Sequence, residues 1–215
     1  MNVLQKLIIF IWPPCEVYIA NRFIDAELSI CPKNRLESIQ TSIRHSFPEI
    51  ENTDKVESLA QAVYDSEERR KDTIEGKAQT FMFAFSICIG ILAILPTLFG
   101  NKWNIPAHTA TLSVCFYVLA MLHLFVAIYH SIQARRISGF ALPSSDGCLE
   151  SIKENRVDAL NVAVMYLSMA KFNEPILTKK SNSLVVAETM FIRAVVFLVI
   201  ASCISIGVKL YLVQG

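Results

Sequence analysis

Basic side chains are the residues of this chain whose type and spacing could most directly do chemistry, because they recur in two clusters. Arginine and lysine clusters bind phosphate groups through charge-assisted hydrogen bonds, so these residues could hold an anionic ligand such as a nucleotide. Charges that set membrane topology and bind lipid headgroups explain the same residues without any ligand. Both interpretations apply to Arg69, Arg70, Lys71, Lys77, Lys179, Lys180 and Arg193.

Two histidines, His123 and His130, lie seven residues apart within an apolar stretch. Seven residues are two helical turns, so both side chains would lie on one face of a helix. Histidines inside a membrane can form a proton relay or a gate, and they also serve simply as hydrogen-bonding groups between packed helices. A third histidine, His108, is either a pH-sensitive group or a solvated loop residue.

Motifs of catalysis and of metal binding are missing from the sequence. It contains no Walker loop, no G-x-G-x-x-G, no H-E-x-x-H and no G-x-S-x-G motif. The six cysteines show no C-x-x-C or Cys/His ligand spacing, and three of them lie in apolar runs. We therefore expect no enzymatic activity, no catalytic residue, no metal site and no cofactor.

Long apolar runs are the dominant feature of the chain. Of its 215 residues 53% are hydrophobic and 18% are charged, where soluble domains carry about 25% charged residues. About 20 apolar residues suffice to cross a bilayer. The runs at 79–99, at 109–132 and at 194–208, the last extended to 190–213, therefore predict three transmembrane helices. The alternative is a large soluble protein with buried helices.

The first apolar run follows directly on the most charged stretch of the chain. Residues 67–72 are all charged, and no charged residue occurs between Lys77 and Lys102. Glu67 with Lys71, and Lys71 with Glu75, are spaced as helical i,i+4 ion pairs. We predict one continuous helix from about residue 54 to 95, in water over its first half and in lipid over its second. Such a helix would couple a cytoplasmic event mechanically to the membrane.

The remaining segments also predict helices. Short helices are expected at 16–28, at 35–46 and at 149–171. A new helix is expected to begin with Asn173 as its cap and Pro175 in its first turn, and to run into the third span. The stretch VLQKLIIFIWPPC is too short to span a membrane, and it predicts a short interfacial or packing helix. No strand pattern occurs.

The placement of lysine and arginine predicts the orientation. Basic residues concentrate before the first span and between the second and third, whereas the loop at 100–108 contains only Lys102. Cytoplasmic loops carry such an excess, so the N-terminus should be cytoplasmic and the C-terminus periplasmic. The expected protein is an all-α integral membrane protein with two of its three spans continuing into a cytoplasmic helical bundle. Its parts are a cytoplasmic region at 1–78, a transmembrane hairpin at 79–132, a cytoplasmic insert at 133–189 and a third span at 190–213.

One short motif carries a family resemblance. A basic segment leads into Ile74-Glu75-Gly76-Lys77-Ala78 and then into a helical hairpin, and Asn173, Lys180 and Ala187 precede a further apolar helix. In these features the chain resembles the SLATT-type and Pycsar transmembrane effector families of bacterial anti-phage defence, over about residues 64–132 and 173–208. It differs from the two-span version of these families by a third span and a large insert.

The resemblance implies a dormant protein of the bacterial inner membrane that assembles and permeabilises the membrane during infection. The signal would come from a cytosolic partner protein or a nucleotide second messenger, with no direct binding of nucleic acid. Three helices cannot enclose a pore, so the effector would be a homo-oligomer in the lipid bilayer. The small-residue pairs Ser86/Gly90 and Ala201/Ser205 would permit close helix contact. The residues expected to couple sensing to the pore are Arg69, Arg70, Lys71, Glu75 and Lys77.

The main alternative is a membrane anchor or regulatory subunit that does not conduct ions and recruits a cytosolic defence or nucleotide-binding protein. The substantial cytoplasmic part favours it. A small transporter or membrane enzyme is a third possibility, which the lack of an acidic residue deep in any span disfavours.

Overall fold

Every element that the structure describes is an α-helix. The structure is a computed structural model, and it describes residues 14–46, 53–98, 107–136, 140–141 and 159–214. Within these ranges there are five helices, and the prediction of an all-helical protein is confirmed. They are α1 (Pro14–Leu28), α2 (Pro32–Ser46), α3 (Thr53–Leu98), α4 (Ala107–Arg136) and α5 (Ala159–Gln214).

The short helices begin and end where local chemistry indicates. At the end of α1 the Ser29 amide still donates to the Asp25 carbonyl at 2.9 Å. Pro32 then occupies the first position of α2, where a missing N–H costs nothing and a fixed φ favours the helix. Both helices end at the predicted residues and begin two to three residues earlier than predicted. The predicted interfacial helix at 7–12 lies outside the described residues.

Helix α3 is one uninterrupted helix of 46 residues, and this prediction is also confirmed. It contains the fully charged stretch 67–72 and all but the last residue of the apolar run at 79–99. Within α3 no proline precedes Pro96. The predicted pairs Glu67–Lys71 and Lys71–Glu75 do not form, and Glu67 pairs instead with Arg70 at i,i+3.

Helix α5 contradicts the predicted start of a new helix at Asn173. It is a single helix of 56 residues with Pro175 in its interior, and the part of the predicted helix at 149–158 lies outside the described residues. Proline has no N–H to donate to the carbonyl four residues earlier, and its ring crowds that turn. The neighbouring carbonyl, that of Phe172, instead accepts a hydrogen bond from the Arg35 guanidinium of α2. A contact from α2 therefore supports α5 one residue from the carbonyl that Pro175 leaves without its usual donor.

The chain divides into two compact units. The polar unit comprises Tyr18–Glu75 and Arg136–Asn182, and the apolar unit comprises Met1–Val17, Gly76–Arg135 and Ser183–Gly215. Helix α3 contributes residues 53–75 to the polar unit and 76–98 to the apolar unit. Helix α5 likewise contributes 159–182 to the first and 183–214 to the second.

The core of the apolar unit combines aromatic rings with small residues. Three phenylalanine rings pack together with centroids 5.2–6.1 Å apart. Phe81 stacks on Phe85, and both meet Phe191 edge to face. Buried alanines recur every seven residues along two helices, which places each set on one helix face. Small side chains let helix backbones approach closely, as membrane helices require. These alanines are Ala120, Ala127 and Ala134 on α4, and Ala187, Ala194 and Ala201 on α5.

Two helices, α4 and α5, are long and apolar enough to cross a membrane. Their apolar segments have mean hydropathies of 2.2 and 2.3, yet only 22% and 33% of the most apolar windows are buried inside the protein. A core helix of a soluble protein would bury most of that surface. Large apolar side chains such as Val118, Leu122, Phe125 and Val199 face outward instead. The predicted first span, at 79–99 on α3, lies partly outside the residues whose side chains are described. That α3 crosses the membrane therefore stays a prediction.

Candidate coupling site

A buried ion pair joins the two longest helices within the polar unit. Lys180 of α5 donates from its Nζ to Oε1 of Glu75 on α3. The Lys180 side chain is only 2% exposed, whereas that of Glu75 is 32% exposed. A buried ammonium group requires such a partner, because losing one member of a buried pair leaves an uncompensated charge at a cost of about 3–5 kcal/mol. Lys180 therefore depends on Glu75 more than Glu75 depends on Lys180.

The same turn of α5 also contacts α1. Lys179 forms an ion pair with Asp25, and the Asn182 side-chain amide donates to the Asn21 oxygen at 3.1 Å. Residues 179–182 thus bind α3 through one side chain and α1 through two others. A displacement of α5 along its axis would break all three interactions at once.

Asn173 of α5 forms a further polar contact, which was not anticipated from the sequence. The side chain is fully buried, accepts a hydrogen bond from the Ala141 amide at 2.8 Å and donates one to the Ala141 carbonyl at 3.0 Å. The Tyr64 hydroxyl of α3 donates to the same carbonyl at 3.4 Å. Burial, and to a lesser degree the Glu68 carboxylate, raises the pKa of the Tyr64 phenol. Asn173 is therefore a clamp on the segment 140–141 and not the predicted helix cap.

Asn173, Lys180 and Ala187 are spaced seven residues apart, and all three are buried. This spacing is the signal in the sequence that could have revealed their roles, because residues seven apart on a helix share one face. The same signal does not identify the partners, which lie on segments distant along the chain. No pattern in the sequence indicated a role for Arg35. In the structure its guanidinium is buried against the Phe172 ring, 4.4 Å from the ring centroid.

The remaining basic residues predicted for this site have separate environments. Arg69 is exposed and donates to the Asp65 carbonyl of its own helix at 3.2 Å, and Arg70 pairs with Glu67 at 3.6 Å. Lys71 is half-buried, with its Nζ 5.0 Å from the centre of the Phe140 ring. Lys77, in the apolar unit, is exposed. Arg193, in the apolar unit, is half-buried. Of the eight predicted residues, the structure joins Lys180 and Glu75 directly to each other.

The two histidines of α4 differ in their surroundings. The His123 Nδ1 lies 2.8 Å from the Leu119 carbonyl, and its ring packs against Phe197 at 5.0 Å. His130 is half-buried against the Tyr129 ring, and its Nδ1 makes no hydrogen bond within the described residues. The Leu119 contact of His123 lies within α4, its ring contacts α5 through Phe197, and a proton relay or gate at His123 and His130 stays a prediction. His108 is exposed.

Serine hydroxyls link the helices of the apolar unit. Ser131 of α4 donates to the Ala78 carbonyl of α3 at 2.9 Å. Ser113 of α4 lies 3.1 Å from the Ala201 carbonyl and 2.8 Å from the Ser205 hydroxyl on α5. The predicted small-residue pair Ala201/Ser205 therefore lies at a helix contact. The other predicted pair, Ser86/Gly90, is exposed, and a Cβ on Gly90 would meet no atom within 4 Å.

Two of the open grooves on the surface of the polar unit are lined by described residues. One, of about 390 Å³, includes Arg44, whose guanidinium donates to the Asn161 side chain at 2.7 Å. The other, of about 320 Å³, lies among α2, α3 and α5 and includes Val63 and Leu167. Among the described residues no group of three or more histidine, cysteine or acidic side chains could hold a metal ion. The chemical features of the polar unit are therefore the buried Lys180–Glu75 ion pair and its open surface grooves.

Comparisons with known proteins identified no relative of this chain. No protein-family model, no curated protein and no solved structure matches the chain.

Proposed function

We propose that this protein is a membrane effector of a bacterial anti-phage defence system, which oligomerises and permeabilises the inner membrane on a signal from a cytosolic partner. The observation that carries the proposal is the Lys180–Glu75 pair. It joins α3 and α5 in the polar unit, and the same two helices continue into the apolar unit. Any event that alters the pair therefore acts on helices that also belong to the apolar unit.

The proposed location is the bacterial inner membrane. Three helices would cross it in chain order: the second part of α3, then α4, then the second part of α5. Outward-facing apolar side chains on α4 and α5 support it, because water would not solvate them favourably. The basic residues before the first span favour a cytoplasmic N-terminus, and three spans would bring the C-terminus to the periplasm.

The proposed mechanism uses the pair as a latch. In the dormant state Lys180 and Glu75 hold α5 in register with α3. A cytosolic protein or nucleotide that binds the polar unit would favour a register in which the pair is broken, and it can shift the equilibrium only by its difference in affinity for the two states. The shift would expose the helix faces that form the oligomer, since three helices alone cannot enclose a pore.

Membrane potential in living cells tests this proposal. The protein is expressed in bacteria that carry its genomic neighbours, and a voltage-sensitive dye is followed before and after phage infection. We expect the potential to collapse after infection in cells with the wild-type protein. Cells with Lys180→Met should depolarise before infection, whereas the exposed-site control Lys171→Met should behave as wild type. An unchanged potential in every strain, with the protein present in the membrane, would contradict the proposal.

A second candidate function is a non-conducting anchor that recruits a cytosolic defence or nucleotide-binding protein. The observation that favours it is the apolar surface of α3 at Leu59 and Val63, of which Val63 borders the 320 Å³ groove. Exposed apolar residues beside a groove are typical of a protein-binding surface. Recovery of a stoichiometric soluble protein with the wild type and not with Leu59→Ser, together with no ion flux in liposomes, would favour this function over the first.

A further inference from the structure

Helix α1 is apolar on the side that faces away from the protein. Tyr18, Ile19 and Phe23 lie within one broad face of the helix, and they are 73%, 53% and 76% exposed. On the other side of α1, the Asn21 oxygen accepts a hydrogen bond from Asn182 of α5, and Ile24 is half-buried. Asp25, two turns after Tyr18 at the edge of the exposed face, pairs with Lys179. Within the part of the chain that the structure describes, no residue covers these three side chains.

We propose that this outer face, consisting of Tyr18, Ile19 and Phe23, lies in the headgroup region of the lipid bilayer. The inference rests on the proposed membrane location and goes beyond it, because it assigns a lipid-binding role to a helix that does not span. It gives the polar unit a direct contact with the membrane surface.

The start of α1 points to lipid as the occupant. Its first residues, up to Val17, belong to the apolar unit, and Val17 packs against the core cluster of that unit. Tyr18 is the next residue of α1, so the exposed residues follow directly in sequence on a segment that belongs to the apolar unit. Tyrosine is enriched at membrane–water interfaces, where its ring lies among acyl chains and its hydroxyl among headgroups.

Charge and area agree with a lipid surface. Arg22 is exposed between Ile19 and Phe23, as a cation near anionic headgroups would be. The three apolar side chains are 53–76% exposed, and apolar patches of a few hundred Å² on a monomer are often functional. A stable dimer requires about 800 Å² from each partner, so a second copy on this face alone would be held weakly.

Quenching by spin-labelled lipids tests the inference on the full-length protein. The six cysteines are replaced, Cys88 by alanine and the others by serine, and an environment-sensitive fluorophore is attached to Phe23→Cys. The protein is reconstituted in vesicles of zwitterionic and anionic lipid that carry a nitroxide either on the headgroup or at the bilayer centre. We expect strong quenching by the headgroup nitroxide and weak quenching by the central one. Ile19→Cys should repeat this result.

Two further positions separate failure of the inference from failure of the proposed membrane location. A label at Phe125→Cys, on the exposed face of α4, should be quenched by the central nitroxide if α4 spans the bilayer. A label at Ser42→Cys, exposed on α2, should be quenched by neither. If position 125 is quenched and positions 19 and 23 are not, the inference is overturned while the membrane location stands. If position 125 is also unquenched, the membrane location itself fails.

A second copy as the occupant would give a different result. Spin labels at position 23 would then show a short distance between copies, with no quenching by lipid nitroxides. That outcome, too, would overturn the assignment of this face to lipid.

Discussion

The Lys180 ammonium group of α5 is buried against the Glu75 carboxylate of α3, 105 residues away in the sequence. Lys180 is almost wholly shielded from water, whereas Glu75 keeps about a third of its side-chain surface exposed. The two positions should therefore respond differently to substitution, although they form one pair.

Glu75→Gln should lower the free energy of unfolding by about 2–3 kcal/mol, because it leaves the buried ammonium with a neutral partner. Lys180→Met should cost about 1 kcal/mol or less, since methionine fills the space and the remaining carboxylate reaches water. Thermal unfolding in detergent measures both. Combining the two substitutions should recover part of the loss from Glu75→Gln alone, and simple additivity of the two losses would show that the residues do not interact.

Asn173→Asp tests the clamp on Ala141. Aspartate keeps the oxygen that accepts from the Ala141 amide, but it places a second oxygen against the Ala141 carbonyl and buries a charge. We expect a loss of stability of about 2–4 kcal/mol. The exposed residue Asn161 provides the control, because Asn161→Asp next to Arg44 should be close to neutral. A loss at Asn173 no larger than that at Asn161 would contradict the role of Asn173.

Arg35→Lys tests how α5 passes Pro175. Arginine stacks on the Phe172 ring and at the same time donates to the Phe172 carbonyl, which a lysine cannot reproduce with one ammonium group. The substitution should lower the free energy of unfolding by about 1–3 kcal/mol. Arg44→Lys, at an exposed arginine of the same helix, is the matched control and should change it by less than about 0.5 kcal/mol. Equal effects at the two positions would contradict the proposal that Arg35 supports α5 near Pro175.

Helix contacts in the apolar unit depend on small side chains. Ala127 is fully buried, so Ala127→Leu should force α4 away from its neighbours and cost about 1–3 kcal/mol. Val118→Leu, on the exposed face of the same helix, should be nearly neutral. Unfolding by a denaturing detergent compares the two. A large effect at Val118 would show that this face packs against protein, as in an oligomer.

The sequence predicted the helices better than the contacts between them. The charge pairs and the long stretch without proline were enough to predict α3 as one helix, because those signals are local. The path of α5 through Pro175 was mispredicted, since local propensity favours a break there and the contacts that override it come from α2. Lys180 appeared from its neighbours to be a headgroup or ligand residue. Its burial depends on Glu75, a partner that helical periodicity alone could not identify.

The number of membrane crossings is the central claim on which these interpretations depend. The described helices include two that could span, α4 and α5, and the sequence predicts a third span on α3 at 79–99. Reporters fused to the two ends of the full-length protein measure the outcome directly, one active only in the cytoplasm and the other only in the periplasm. Three spans predict a cytoplasmic N-terminus and a periplasmic C-terminus. Both ends in the same compartment would contradict the claim.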